Sequence, residues 1–200
     1  MNDSWKMLAL VALATYGGVQ HFKNKPEVWE SEKCIDKAPF QQNILSPIPW
    51  TSKQFKITPL ARYEISARVI QIQRYYFDHL SSVSPIDFGV AWGVASNQST
   101  IDEMTFIIND RYLSFRSPNY TPELSSCIAN MHLLPANERV ESQLKSVKLG
   151  QGISMSGYLV SLDNPNIGKF KSSLTRSDSG PGACEIMWVE TIDSISPKDL

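Results

Sequence analysis

Cysteine is scarce in this chain: Cys34, Cys127 and Cys184 are the only three among 200 residues, and none belongs to a Cys-x-x-Cys pair. That number and scatter cannot make a disulfide framework and exclude a zinc ribbon. The thiols read either as buried and unpaired or, in an oxidising compartment, as one bridge and a spare. An excess of charge of one sign is missing as well, since 19 Lys and Arg stand against 20 Asp and Glu for a formal net charge of -1. No overall field draws in nucleic acid or anionic lipid, so either partner would need a local patch. The sequence also has no Gly-x-Ser-x-Gly elbow, no glycine-rich loop followed by a phosphate-binding lysine, no paired carboxylates at a convincing spacing and no internal repeat.

What is present is an ordinary globular make-up, 42% hydrophobic and 20% charged. The length suits one domain plus appendages, and a domain of about 140 residues buries about two thirds of its unfolded surface without a staple. Lys6 precedes the apolar run Met7-Leu8-Ala9-Leu10-Val11-Ala12-Leu13-Ala14, which fades through Gly17 and Gly18 into Gln20-His21-Phe22-Lys23. The run is shorter than the roughly 20 residues of a spanning helix and has the outline of a secretory leader, with small residues for cleavage near Ala14 or Gly17. Residues 1–22 are therefore expected to be a hydrophobic leader helix, a signal peptide or membrane anchor. The chain is accordingly expected in the bacterial envelope, anchored in the inner membrane or periplasmic, with the membrane as a partner through that segment. Lys23, Lys25, Lys33 and Lys37 follow the run, an asymmetry that counts against export; the competing reading is an N-terminal helix packed on a soluble domain.

Residues 23–54 carry Pro26, Pro39, Pro47 and Pro49 without a sustained period and read as an extended tether. Beyond it, 55–192 reads as a single β-rich domain with a polar tail at 193–200. Between Arg62 and Phe77, Tyr63, Ile65, Ala67 and Val69 alternate with polar neighbours before Ile70 and Ile72 take over the apolar phase, which predicts a long strand with a β-bulge. Ile86 to Trp92 predicts a buried strand. Met104–Ile108 and Tyr112–Phe115 flank Asn109-Asp110-Arg111 as a hairpin. Asn137 is placed to cap a short surface helix with Val140, Leu144 and Val147 on one stripe. Ile153 to Leu162 and Phe170 to Leu174 form a second hairpin, and Cys184, Ile186, Trp188 and Ile192 alternate in a last strand. The fold expected is mainly β (α+β): a small antiparallel, barrel-like sheet, OB-like or similar, with one short surface helix.

Polar chemistry is densest at Cys127–His132 and at Arg176–Glu185. For nucleophilic catalysis, Cys184 would attack as the thiolate, His132 would be its base, and Asn130 or Asp178 would orient the imidazole. A thiol in the apolar phase of a strand is more often core. Gly180-Pro181-Gly182 with Arg176 could hold an anion, and Asn130, Arg176, Asp178 and Glu185 are the candidate ligand-binding residues; the plain alternative is a hairpin loop. Asp78, His79 and Asp87 are the only neighbouring metal-ligand types, and adjacent strand residues face opposite ways, so no metal site and no cofactor are expected. Arg62, Arg68 and Arg74 with Tyr75, Tyr76 and Phe77 could form a face for single-stranded nucleic acid, but Glu64 and Asp78 break it into a solvated face.

The segments Ile57-Thr58-Pro59-Leu60-Ala61, Arg74-Tyr75-Tyr76-Phe77-Asp78, Ser84-Pro85-Ile86-Asp87, Asn130-Met131-His132-Leu133-Leu134-Pro135-Ala136 and Ser173-Leu174-Thr175-Arg176 through Glu185 resemble a group of uncharacterised bacterial proteins. The resemblance spans most of residues 55 to 190. It implies a short hydrophobic N-terminal segment and a proline-containing tether, and it implies no activity and no catalytic residue. Cys127 departs from the pattern, where a small polar residue is expected. The expected function is a non-enzymatic envelope protein that binds a protein or small ligand; the alternatives are a Cys-His hydrolase or transferase using Cys184 and His132, and a nucleic-acid-binding barrel.

Overall fold

The computed structural model of the chain describes residues 25–30, 33–175 and 183–200. The expected leader lies outside the described residues, as do Arg176 and Asp178.

Ten strands frame the described residues: β1 (Phe40–Asn43), β2 (Trp50–Ser52), β3 (Phe55–Arg74), β4 (Ile86–Ala91), β5 (Thr105–Asn109), β6 (Tyr112–Arg116), β7 (Ile128–Pro135), β8 (Gly152–Asn164), β9 (Gly168–Lys171) and β10 (Glu185–Ile195). Strand β3 organises them. Its first two thirds pair antiparallel with β8, and its last third, from Arg68 to Arg74, pairs with β4. The register shifts between Val69 and Gln71, where the apolar phase of the sequence changes. A bulge there bends the strand and lets one segment serve two neighbours. From β4 the pairing continues through β7, β10 and β8 back to β3, so the large sheet is ring-like.

The sheet is mixed rather than wholly antiparallel, a correction to the expected fold, because β7 and β10 run parallel. Parallel neighbours need a long crossover connection, and the helix, β8 and β9 that separate β7 from β10 in sequence supply it. At the β8–β10 contact a Cβ on Gly157 would lie 1.9 Å from the carbonyl oxygen of Trp188, so only glycine permits the two backbones to approach this closely.

Inside the ring, every second residue of each strand is apolar: Tyr63 and Ile65, Phe88, Met131 and Leu133, Leu159, Met187 and Val189 form one cluster. Among the described residues there are three α-helices where the domain was expected to carry one: α1 (Gln98–Asp102), α2 (Pro122–Ser126) and α3 (Glu138–Ser146). The two shorter ones are single turns capped by Asn97 and Thr121, too brief to leave a period in the sequence. Helix α3 is the anticipated one. The Asn137 side chain accepts from Val140 N at 3.0 Å, and Val140, Leu144 and Val147 fill the core cluster. Burying a side chain such as Leu144 stabilises by about 1.5–3 kcal/mol, which is what holds so short a helix in place.

The proline-containing segment is not a free tether, a further correction. β1 and β2 pair along β3, while Trp29 and Ile35 are 4% and 2% exposed. Arg68 fastens this segment. Its guanidinium lies 4.4 Å from the centre of a Trp29 ring and donates to the carbonyls of Glu27, Ser96 and Gly150 and to Oε1 of Gln98. Burial pushes the Arg68 pKa down to about 10, against the pull of Glu27 and Asp102, so the group stays charged at neutral pH. The prolines therefore punctuate an edge laid on the domain.

Candidate functional site

The outward face of the ring carries a second set of residues, and the strand period of two decides which they are. On β7, Met131 and Leu133 point into the core, so Asn130 and His132 point out. Antiparallel β4 places Asp87 opposite His132 and Gly89 opposite Asn130. Parallel β10 places Ile186 beside His132, and Cys184, two residues earlier, falls next to Asn130. Three adjacent strands thus bring a carboxylate, an imidazole and a thiol to one place.

Nδ1 of His132 lies 2.9 Å from Oδ2 of Asp87, whose side chain is wholly buried. The contact is one of charge, short of an aligned N–H···O bond, and such contacts commonly tighten only when substrate is bound. Burial by itself would lower the His132 pKa. The close polar contact with Asp87 first, and that with Cys184, outweigh it and raise the value to about 9. The Asn130 amide donates to Sγ of Cys184 at 3.3 Å and to the carbonyl oxygen of Arg111 at 2.6 Å. The second bond settles the orientation of the amide, since its oxygen would be repelled by the Arg111 carbonyl.

Arg111 comes from a separate element. β5 and β6 form a two-stranded sheet whose turn has positive φ at Asp110 and Arg111, 46° and 65°. The turn is a two-residue loop with both central residues left-handed, Asn109 pairing with Tyr112 as the last ladder position. From the tip, Arg111 makes a bidentate pair with Asp78 at 2.8 and 2.9 Å, reaches Asp87 at 3.3 Å and donates to the Ser84 carbonyl. Its guanidinium also lies 3.8 Å from the centre of the Tyr75 ring. Burial first, and Asp87 second, push the Tyr75 phenol up, so it stays protonated beside the carboxylate.

These groups open on a cavity of about 380 Å³, lined by Cys184, His132, Arg111, Leu80, Leu162 and Phe170 among others. Small-molecule sites occupy about 300–1,000 Å³. The other two thiols are placed differently. Cys34 donates to Asp36 at 2.8 Å, and that bond with burial pushes its pKa up; burial does the same to Cys127. All three cysteines are free thiols.

Of the residues singled out in the sequence, Cys184, His132 and Asn130 come together. Glu185 does not join them: it is 3% exposed and falls on the opposite phase of β10 from Cys184. The sequence reading missed the functional side of Asp87, weighing it only as a metal ligand, and missed Arg111 and Tyr75. A signal for Asp87 was present, because a carboxylate within the otherwise apolar Ile86–Ala91 strand needs a partner if the strand is buried. Arg62, Arg68 and Arg74 form no open cationic face: Arg68 is buried, Arg62 pairs with Glu190, and Arg74 donates to the Lys145 carbonyl. Among the described residues no three His, Cys, Asp or Glu side chains converge so as to hold a metal ion. No protein-family model, curated protein or solved structure matches the chain.

The His132 environment has a consequence for stability. The folded-state value of about 9 lies above the ordinary value of 6.5, so the contribution of the protonated ring is complete below about pH 6.5 and is lost as pH rises through about 9. It amounts to about 3 kcal/mol at most. The urea midpoint is expected to fall between those two pH values in the native chain and to stay level in His132→Gln; a level profile in the native chain would refute the assignment.

Proposed function

We propose that this protein is a cysteine-nucleophile hydrolase or acyltransferase. The observation that carries the reading is the convergence of Cys184, His132 and the buried Asp87 at the wall of an open cavity. A network serving stability alone would gain nothing from a thiol at the cavity surface, and burying Asp87 has a cost that His132 and Arg111 only offset. Cys184 is the nucleophile and His132 carries the proton. Asp87 is a positioning residue that favours the imidazolium, and Asn130 supplies an amide donor beside the sulfur.

In the acylation step, the Cys184 thiolate attacks an acyl carbonyl. The C–S bond forms as the bond to the leaving group breaks, and the His132 imidazolium gives its proton to that group. In the second step water attacks the thioester: His132 accepts a proton from the water, the hydroxyl joins the acyl carbon, and Sγ leaves as thiolate. An amine or hydroxyl in place of water makes the same cycle a transfer. The Asn130 amide, one hydrogen of which is held by the Arg111 carbonyl, can turn its other hydrogen from Sγ to the developing oxyanion.

The hydrophobic run of residues 7–19 supports placing this chemistry at the bacterial envelope, behind a leader or anchor. The ring of pairings, with α3 between β7 and β8, supports an OB-like closed sheet as the parent architecture. The nucleic-acid alternative loses its support with the burial of Arg68.

Alkylation by iodoacetamide at pH 7, read cysteine by cysteine by peptide mass, tests the proposal. Cys184 is expected to react at least about tenfold faster than Cys34 or Cys127, because the bond to Asp36 and burial push those two thiols up, whereas Cys184 opens on the cavity beside His132. His132→Gln is expected to bring it down to their range. Equal rates for the three thiols in the native chain would dispose of the enzymatic reading.

A further inference from the structure

β9 is an edge strand, the last in the order of the large sheet, and its Lys169, Phe170 and Lys171 line the Cys184 cavity. The strand register decides what surrounds each lysine. β8 pairs with β3 and with β9, so Lys56, Asp163 and Lys169 form one cross-strand row, and Thr58, Ser161 and Lys171 form the next. Opposite residues on neighbouring strands share a face, and residues two apart on a strand do as well, so the six belong to one face. The two rows differ in charge. In the first, Asp163 lies between two lysines and takes the Lys169 ammonium at 3.2 Å. In the second, Lys171 stands beside two hydroxyls and no carboxylate, and its ammonium has no partner among the described residues.

Lys56, Lys169 and Lys171 against Asp163 leave this corner positive in a chain whose formal net charge is -1. The other cations of the thiol cavity are already balanced, Arg111 by Asp78 and Asp87, and His132 by Asp87. Asp110, which also lines the cavity, stands at the tip of the β5–β6 hairpin and turns an anion away from that side. The β9 side is therefore where a negative group gains most, and an exposed ammonium offers it both charge and hydrogen-bond donors. The position suits a substrate held at the thiol. Ser173 N donates to the Cys184 carbonyl at 3.0 Å, and Lys171 lies two residues before Ser173, about 7 Å along an extended chain.

We infer that the substrate that acylates Cys184 carries an anionic group, a carboxylate or a phosphate, which Lys171 holds at the β9 rim of the cavity. The separation of that group from the attacked carbonyl is about 7–10 Å, the strand distance plus the play of a flexible lysine stem. The inference rests on the assignment of Cys184 as nucleophile.

The test labels the full chain with the N-iodoacetyl derivatives of β-alanine, γ-aminobutyrate and aminohexanoate, whose carboxylates bracket that distance, and with their methyl esters. In each reaction Sγ bonds to the methylene carbon and iodide leaves. Rates at Cys184 are read by peptide mass and divided by those of free cysteine, which removes the intrinsic preference of a thiolate for the neutral reagent. At least one acid is expected to exceed its ester by about fivefold at low salt, and the ratio to fall towards one at about 0.5 M salt. Lys171→Gln is expected to bring the ratio to about one and Lys171→Glu to invert it, with iodoacetamide labelling unchanged in both. Lys169→Gln is expected to change it by less than about twofold, because that ammonium already has Asp163. An iodoacetylated aminopropyl phosphate that outpaces the acids and depends equally on Lys171 would uphold the inference and make the group a phosphate. Fast iodoacetamide labelling with acid and ester alike, or a preference that survives Lys171→Gln, would overturn the subsite and spare the thiol chemistry. Lysines that serve merely to keep an edge strand from pairing with another chain predict that result. Iodoacetamide labelling no faster than at Cys34 and Cys127 would overturn both.

Discussion

Asp87→Asn is expected to leave β4 in place and to lower the rate at which p-nitrophenyl acetate acylates Cys184 by about a hundredfold to ten-thousandfold. That corresponds to about 3–5 kcal/mol of transition-state stabilisation. The carboxylate sits 2.9 Å from Nδ1 of His132 and stabilises the protonated ring, whereas an amide in the same place has no charge and can hold the wrong tautomer. The fold should persist, because Arg111 keeps its bidentate pair with Asp78 and its bond to the Ser84 carbonyl. Nitrophenolate release, with the acyl-enzyme followed by intact mass, provides the measurement. A loss of less than about threefold would remove Asp87 from the catalytic arrangement and leave it a structural acid.

The second large effect falls on stability and on a residue far from the thiol. Arg68→Leu leaves the buried carbonyl of Ser96 and the partly buried carbonyls of Glu27 and Gly150 without this donor. Gln98 keeps one partner, since its Oε1 also accepts from Trp29 N. With about 1–3 kcal/mol for each orphaned group, the loss is on the order of 3–5 kcal/mol. The urea midpoint is expected to fall by about 2 M at an m-value of about 2 kcal/mol/M. Because Arg68 also clamps residues 27–30 through Trp29, the variant should be nicked by trypsin at Lys33 and Lys37 well before the core is digested. An unchanged midpoint together with native-like trypsin resistance would mean that the N-terminal segment is held by β1 and β2 alone.

Some of this architecture was legible because local rules and the tertiary fold agree. The phase slip after Val69 marked the bulge, Asn137 with the Val140, Leu144 and Val147 stripe marked α3, and Asp110 marked a tight hairpin turn. Each depends on neighbours within a few residues. The parallel β7–β10 pair left no such trace, nor did the docking of residues 25–54, where proline signals a break in regular structure but not whether the broken segment lies free or against a sheet.

The site divides in the same way. His132 and Cys184 were recognisable as a chemical pair by residue type, and Asn130 by its place near them. Asp87 was hidden because it interrupts an apolar strand and reads as an isolated acid, and Arg111 because a charged turn tip is ordinarily solvated.

By itself the sequence determined which residues point together along each strand, since side chains alternate whatever the partner, and therefore which set is core and which is outward. Strand order, direction and the reach of the β5–β6 hairpin were decided only by the tertiary structure, because pairing depends on backbone hydrogen bonds that every residue type offers alike. Those choices put Asp87, His132 and Cys184 on adjacent strands and turn three scattered residues into one site.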